Sequence, residues 1–298
     1  MKFEDVEAAR ITYANKTSKY MLVSVIIAFA VAIITSVGSR SFILYGVVSG
    51  LLVFGIGAVI TALLTRKEAI AYKKTYKGYF VERNLKNIFT DLKYTHQDGI
   101  SSSLLKSTGM INTGDVYSSN DLTIAKYKNI GFVQADAHIQ TESTDSDGNT
   151  TYTTIFKGRF MIFEFPKKFN FKLELIGKRF GAYRIPSKDQ NTGRKMVKIE
   201  TESPEFQHFY KVFGQDGFET FYILDPAFIV KLQDIAEHYK RKVLLGFYDN
   251  KMLVALNDGK DSFEPPKPYK PINEQIETEK VAKDIKIITD FVDIISSH

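Results

Sequence analysis

The chain has 298 residues, is 44% hydrophobic and 13% aromatic, and carries a formal net charge of +6. It contains no cysteine, which excludes a disulfide framework and thiolate metal sites and is consistent with a reducing compartment. Residues 1–19 net +1, Arg40 adds one charge, residues 66–77 net +4, and the rest sums to zero. The basic excess thus flanks the apolar runs, and a nucleic-acid partner, which requires a basic field on the folded domain, is not expected.

Residues 1–19 read as an N-terminal amphipathic segment. Residues 20–37 (YMLVSVIIAFAVAIITSV) and Phe42–Leu64 (FILYGVVSGLLVFGIGAVITALL) hold no charged residue. Each is about long enough to cross a hydrocarbon core of ~30 Å. Only Gly-Ser-Arg-Ser separates them, so residues 20–65 are expected to form a transmembrane helical hairpin. Two other readings are a buried helix pair in a soluble core and a cleaved signal peptide. The length and lack of charge weigh against the first. Three acids before the first run and a second run directly after it weigh against the other. Arg40 in the turn faces five cations, Arg66, Lys67, Lys73, Lys74 and Lys77, after the second span. Loops rich in Lys and Arg stay inside, which places both termini and the main domain on the cytoplasmic side, with the protein integral to the membrane.

The same five cations are candidates for holding an anionic lipid headgroup, beside the simpler reading of a topology signal. Gly46 and Gly50 have small-residue spacing that lets helices approach closely, either across the hairpin or in a homo-oligomer. The spans contain no acid, base or proline to line an ion pathway, which disfavours a pore or transporter unless many copies assemble.

From 66 to about 94 the apolar positions Ile70, Tyr76, Phe80, Ile88 and Leu92 predict a membrane-proximal helix weakened by Gly78, within a segment spanning 66–98. A cytoplasmic domain over 99–264 follows. After a Gly- and Ser-rich stretch, strands are expected around Leu122–Tyr127, Phe132–Ile139 and 151–165, the last two joined by the turn Asp145-Ser-Asp-Gly-Asn149. Asp145, Asp147 and Asn149 match the first positions of a calcium loop. The glycine at 148 and Phe156 in the twelfth position do not match, so no metal is expected. Asn191-Thr192-Gly193 marks a turn, and 196–201 a strand. Ser203-Pro204 and Asp225-Pro226 each read as an N-cap followed by proline at the first helical position, opening helices to about 212 and 241. A strand over 220–224 is expected between them. The final hairpin pairs 243–248 with 252–256. Residues 265–298 read as a stiff Pro-rich linker and an amphipathic helix with Ile276, Val281, Ile285, Ile288, Val292 and Ile295 on one face. That helix packs on its own domain, pairs with the 66–94 helix, or binds a partner.

No nucleotide-binding glycine loop, zinc-protease motif or nucleophile elbow occurs. The five histidines are scattered, and none is spaced i, i+4 from another. No cofactor and no catalytic activity are expected. The reading is an α+β domain, a mainly antiparallel sheet with covering helices behind a transmembrane hairpin. It acts as a membrane-anchored interaction or scaffold domain, or alternatively as a juxtamembrane sensor of an anionic headgroup or small ligand.

Phe156-Lys-Gly-Arg-Phe160, Val197-Lys-Ile-Glu200, Ser203-Pro-Glu-Phe206, Val212-Phe213, Tyr222-Ile-Leu-Asp-Pro226 and the stretch from Phe247 to Glu264, in this order, resemble the bacterial domain-of-unknown-function family 3137. The resemblance covers roughly residues 70–265. It implies a two-span membrane protein with a cytoplasmic domain, often encoded near LemA-type membrane proteins, which makes one of those a partner to consider. It carries no catalytic residues. The acidic 145–149 tip and the helix after Pro271 look like additions to the common pattern.

Overall fold

The computed structural model describes residues 1–37, 42–165, 168, 170–184, 193–201, 203–215, 220–221 and 223–296. Arg40 and its turn, Asn191 and Thr192, Tyr222 and His298 lie outside the described residues. The chain divides into two compact units, Met1–Arg83 with Glu264–Lys280, and Asn84–Phe263 with Val281–His298.

In the first unit, α1 (Phe3–Ser36) continues the amphipathic segment without a break into the first apolar run, and α2 (Phe42–Leu64) is the second. Both are long and apolar enough to cross a membrane. Their large side chains point outward, with Leu22, Phe29, Ile34, Leu44, Leu51 and Leu63 all more than 60% exposed. A buried pair in a soluble core would hide these groups, so the exposure supports membrane association. The glycines line the helix contact. A Cβ on Gly46 would sit 2.8 Å from the Ala32 carbonyl oxygen, and one on Gly57 would sit 2.6 Å from Ser24 Cβ. Only glycine permits that approach, so Gly46 and Gly57 serve the hairpin itself. A 2.8 Å hydrogen bond between Thr35 and Ser49 hydroxyls joins the spans.

The third helix, α3 (Arg66–Tyr76), passes through a π-helical turn at Lys77–Glu82, which contains Gly78, into α4 (Arg83–Ile88). The Pro-rich stretch is a packed strap within this unit. Tyr72 donates to the Pro266 carbonyl at 3.0 Å, the Arg10 guanidinium donates to that of Pro268, and Tyr76 donates to the Glu277 carboxylate.

The second unit is built on one nine-stranded, wholly antiparallel sheet. Its strands are β1 (Thr90–Thr95), β2 (Val116–Tyr127), β3 (Ile130–Thr144), β4 (Thr150–Glu164), β5 (Leu173–Gly177), β6 (Val197–Ile199), β7 (Tyr210–Gly214), β8 (Val243–Tyr248) and β9 (Lys251–Leu256). They lie in the order β1-β2-β3-β4-β9-β8-β5-β7-β6. The expected α+β class and antiparallel sheet are found, and several boundaries are corrected. The helix predicted to reach 94 stops at Ile88, and Thr90–Thr95 becomes the edge strand. The helix opening at Ser203, α6 (Pro204–Phe209), stops before Tyr210, and the residues expected to finish it form β7. Thr220, Phe221 and Ile223, expected in a strand, are helical. The helix capped by Asp225, α7 (Pro226–His238), ends three residues early, because Lys240 and Arg241 take positive φ. Both predicted N-caps form: Ser203 Oγ accepts from Phe206 N at 3.2 Å, and Asp225 Oδ1 from Phe228 N at 2.8 Å.

The pleat sends alternate residues to opposite faces. Ala135, Ala137, Ile139, Phe160, Ile162, Leu253 and Ala255 pack with Ile100, Met110, Ile111 and Leu105, the last from α5 (Ser102–Thr108). On that face a Cβ on Gly246 would fall 2.1 Å from Met110 Sδ, so the glycine leaves the space that the Met110 thioether fills. The other face carries Phe132, Phe163 and Phe247. It meets Phe228 of α7 and Phe291 of α8 (Glu274–Ser296) with ring centroids about 6 Å apart. Val281, Ile285, Ile288, Val292 and Ile295 of α8 are all buried, whereas Ile276, expected on the same stripe, is 60% exposed. The stripe thus packs on its own domain from Val281 onward.

Candidate functional site

The cations predicted as headgroup ligands are split. Arg66, Lys67 and Lys74 are exposed. Lys73 and Lys77 converge on Glu264, their ammonium nitrogens 2.6 and 2.9 Å from its two carboxylate oxygens, and Lys77 is 3% exposed. Burial pushes the Glu264 carboxyl up, but the two lysines outweigh it and hold it below the usual carboxylate range. Lys77 is therefore spent on a buried ion pair and Lys73, though exposed, shares it, which leaves Arg66, Lys67 and Lys74 as the exposed cations outside that pair. At the 145–149 tip, the Asp145 carboxylate accepts from Asp147 N at 3.0 Å and Asn149 N at 2.8 Å. These bonds hold its pKa low, and its oxygens serve the turn. His208 and His238 close short helices, stacked edge-on against Phe209 and Tyr239.

The site that the sequence left unmarked is a cleft of about 620 Å³ in the second unit, between α7 and the distal part of α8. That volume lies within the range of binding clefts, about 300–1,000 Å³. Its apolar surface comes from Ile235, Tyr239, Ile287, Phe291 and Ile294. Its charged rim comes from Lys231, Asp234 and His238 on α7, Lys283, Asp284, Lys286 and Asp290 on α8, and Lys260 from the loop after β9. Lys286 is bound to Asp290 one helical turn on, at 2.5 and 2.7 Å.

The cleft wall rests on a buried polar pair. Asp136 on β3 and Arg159 on β4 are direct cross-strand partners and are 2% and 3% exposed. The Arg159 Nε lies 3.5 Å from Asp136 Oδ1, and Arg159 Nη1 donates to the Asp284 carbonyl of α8 at 2.6 Å. Asp136 Oδ2 accepts from Ser262 N, and the Phe263 ring, in a backbone conformation with φ +60°, lies 5.3 Å from the guanidinium. One arginine thus ties the sheet, α8 and the 258–263 loop together. Asp136 Oδ1, Arg159 Nη2 and Gln134 Oε1 are buried and have no hydrogen-bond partner among the described residues. Burial pushes the Asp136 carboxyl up to about 7; Arg159 and the Ser262 amide oppose the rise, and the nearby Asp121 and Asp261 add to it. Burial likewise pushes the Tyr239 hydroxyl up to about 12.

The fold and cleft define a class: an α+β sheet domain carried behind two helices able to cross a membrane, with a two-helix groove in its covering layer. Residues 154–296 match the model of a family described as "Protein of unknown function (DUF3137)". The resemblance drawn from the motifs holds over that stretch. The match also takes in α8, so that helix belongs to the common pattern and is not an addition to it, and the match contains every residue lining the cleft. No curated protein matches the chain in sequence. Among solved structures, the crystal structure of the mycobacterial trehalose monomycolate transport factor A, TtfA, aligns at 10% identity with a TM-score of 0.39, over 74% of this chain and 94% of that one. A likeness at that level is too low for a functional inference.

Proposed function

We propose that this protein is a membrane-anchored, non-catalytic interaction domain, held at the inner face of a bacterial cytoplasmic membrane by the α1–α2 hairpin. It docks a protein partner in the groove between α7 and α8. The observation carrying the reading is the makeup of that groove, an apolar floor inside a rim of both charge signs. A rim of lysines interspersed with Asp234, Asp284 and Asp290 complements a protein surface. It would repel a dense polyanion at three points. Cytoplasmic placement is supported by the cations clustered after α2. By the family resemblance, a LemA-type membrane protein is one partner to test, and a second copy of this chain is another.

Affinity capture of the full-length protein after chemical crosslinking in its native membranes tests the reading. It predicts a partner protein recovered in near-constant ratio to the bait, and recovery of bait alone would refute it. The sensor reading retains one supporting observation, the exposure of Arg66, Lys67 and Lys74 just beyond α2. It predicts that the full chain in nanodiscs enriches anionic over neutral phospholipid, and that R66Q/K67Q/K74Q abolishes the enrichment.

A further inference from the structure

At the end of the sheet where β5 stops and β7 and β8 begin, two turns, 178–180 and 239–242, carry Lys178, Arg179, Lys240, Arg241 and Lys242. The turns are held together through the backbone. Arg179 N donates to the Arg241 carbonyl at 3.0 Å, and Lys178 N to the Phe209 carbonyl at 3.0 Å. The Arg241 guanidinium also lies 5.9 Å from the centre of the Phe209 ring. Lys178, Arg179 and Lys240 are exposed, and Arg241 and Lys242 are half-buried. None of the five forms an ion pair among the described residues. Of the acids close to them in the chain, Glu174 is buried beside Lys172, and Glu237 on α7 is exposed. Part of the positive charge answers to α6 and α7, which both finish here, since each helix C-terminus carries about half a negative charge. Against about one negative charge from the two helix ends and one from Glu237, five cations leave an excess of about three.

The backbone supplies a second observation. Lys240 and Arg241 take φ of +51° and +60°, the left-handed region that glycine enters freely and that costs residues with a Cβ. The turn is closed by Arg241 N donating to the Ala236 carbonyl at 2.6 Å, a bond that glycine would make as well. The turn alone would be better served by glycine at 240, so the lysine there supplies charge and not stability. We infer that the turns 178–180 and 239–242 form a contact site for an anionic bilayer surface, through which the sheet domain itself touches the membrane that anchors the chain. This contact is separate from the α7–α8 groove and from the cations that follow α2, and it rests on the anchorage by α1 and α2. Tethering keeps the bilayer always within reach, so a few weak contacts suffice. Anionic headgroups act on Lys and Arg within about a Debye length, ~8–10 Å, and cations gathered on two joined turns can meet a flat surface together. A nucleic-acid duplex needs a longer basic track, and an acidic protein segment has no tether to hold it near.

The test exploits the absence of cysteine, which makes any introduced thiol a unique label site. Gly181→Cys places a fluorophore two residues from Arg179 at an exposed position, where a Cβ would meet only the Ile155 carbonyl, at 3.6 Å. Ser146→Cys, at the exposed 145–149 tip, is the control. The full chain is reconstituted in nanodiscs containing phosphatidylcholine with a nitroxide on its headgroup, with or without phosphatidylglycerol. In the anionic discs, quenching at 181 should exceed that at 146 roughly threefold or more. It should fall to the control level in discs without phosphatidylglycerol and in ~1 M salt, where the screening length shrinks to ~3 Å. K178Q/R179Q/K240G/K242Q should abolish the difference, and K240G alone should weaken it without lowering Tm. Equal quenching at 181 and 146, quenching that ignores lipid charge and salt, or a charge-depleted variant that is quenched like the parent would each overturn the inference and leave the partner-docking reading standing. A chain that does not enter the discs would overturn the anchorage and this inference with it.

Discussion

Arg159→Met severs three attachments at once while keeping most of the side chain's length and apolar bulk. It removes the cation facing Asp136, the 2.6 Å bond to the Asp284 carbonyl, and the cation over the Phe263 ring. Breaking a buried ion pair by deleting one partner costs about 3–5 kcal/mol, since the other charge stays buried without compensation. The remaining Asp136 carboxyl can escape part of that cost by taking up a proton, because burial has already pushed its pKa to about 7. The loss should therefore be nearest 5 kcal/mol at pH 8 and smaller at pH 5. For a domain of this size each kcal/mol moves Tm by about 2–4 °C, giving a drop of roughly 6–20 °C. The assay is thermal unfolding of the detergent-solubilised full chain, followed by near-ultraviolet circular dichroism of its tyrosines, at both pH values. The double variant R159M/D136N leaves no unpaired charge and should recover more than half of the lost Tm. A Tm within 2 °C of the parent for R159M, or a double variant no better than the single one, would refute the view that this pair holds α8 to the sheet.

The pH dependence of the parent gives a second prediction. The Asp136 pKa is raised on folding, so its favourable contribution is fully present below pH about 4 and is lost as pH rises through about 7; the Tm advantage of the parent over D136N should shrink across that window. Glu264 works in the opposite sense, since its folded pKa is lowered: its contribution is present above the unfolded carboxylate range and lost as pH falls below it. Glu264→Gln should therefore lower Tm at pH 7 but converge on the parent by pH 3, and equal offsets at both pH values would contradict the Lys73–Glu264–Lys77 assignment. In the hairpin, Gly57→Leu must push Ser24 away from a 2.6 Å approach, and overpacking of this kind costs about 1–3 kcal/mol. The same change at Gly55, which has open space around it, should leave membrane yield and Tm unaltered, as measured by fluorescence-detected size exclusion of a tagged chain.

The parts of the fold written in short-range pattern were legible in advance. Two uncharged runs, two N-caps each followed by proline and the Asp145–Asn149 turn each encode their element within a few residues, and each is found where the pattern puts it. The misread elements are those in which tertiary pairing decides between helix and strand. Thr90–Thr95 continues a helical apolar spacing, yet it takes the edge position against β2. Tyr210–Gly214 would extend α6 by pattern, but its backbone pairs with β5 and β6 instead. The five-residue β5, Leu-Glu-Leu-Ile-Gly, was too short and too unalternating to stand out.

The cleft was invisible for a related reason, since its walls come from α7, α8 and a loop far apart in sequence. One local signal was available. In β3, Gln134 and Asp136 stand at alternate positions of a stretch, Ile130–Ala137, whose other residues are all apolar or glycine, and Arg159 interrupts an aromatic strand. Polar groups at inward positions of buried strands mark a site that something else must satisfy. The lysines proposed from sequence were chosen for proximity to the membrane, and the pattern gave no sign that Glu264, almost two hundred residues later, would claim two of them.

Whether the α7–α8 groove is where this domain meets its partner is tested most directly by amide hydrogen exchange on the full chain in nanodiscs, alone and as the complex captured from membranes. Slowed exchange confined to residues 231–239 and 283–294 on complex formation is the predicted result. Unchanged exchange there, with new protection on the opposite sheet face around Ile124 and Tyr248, would contradict it.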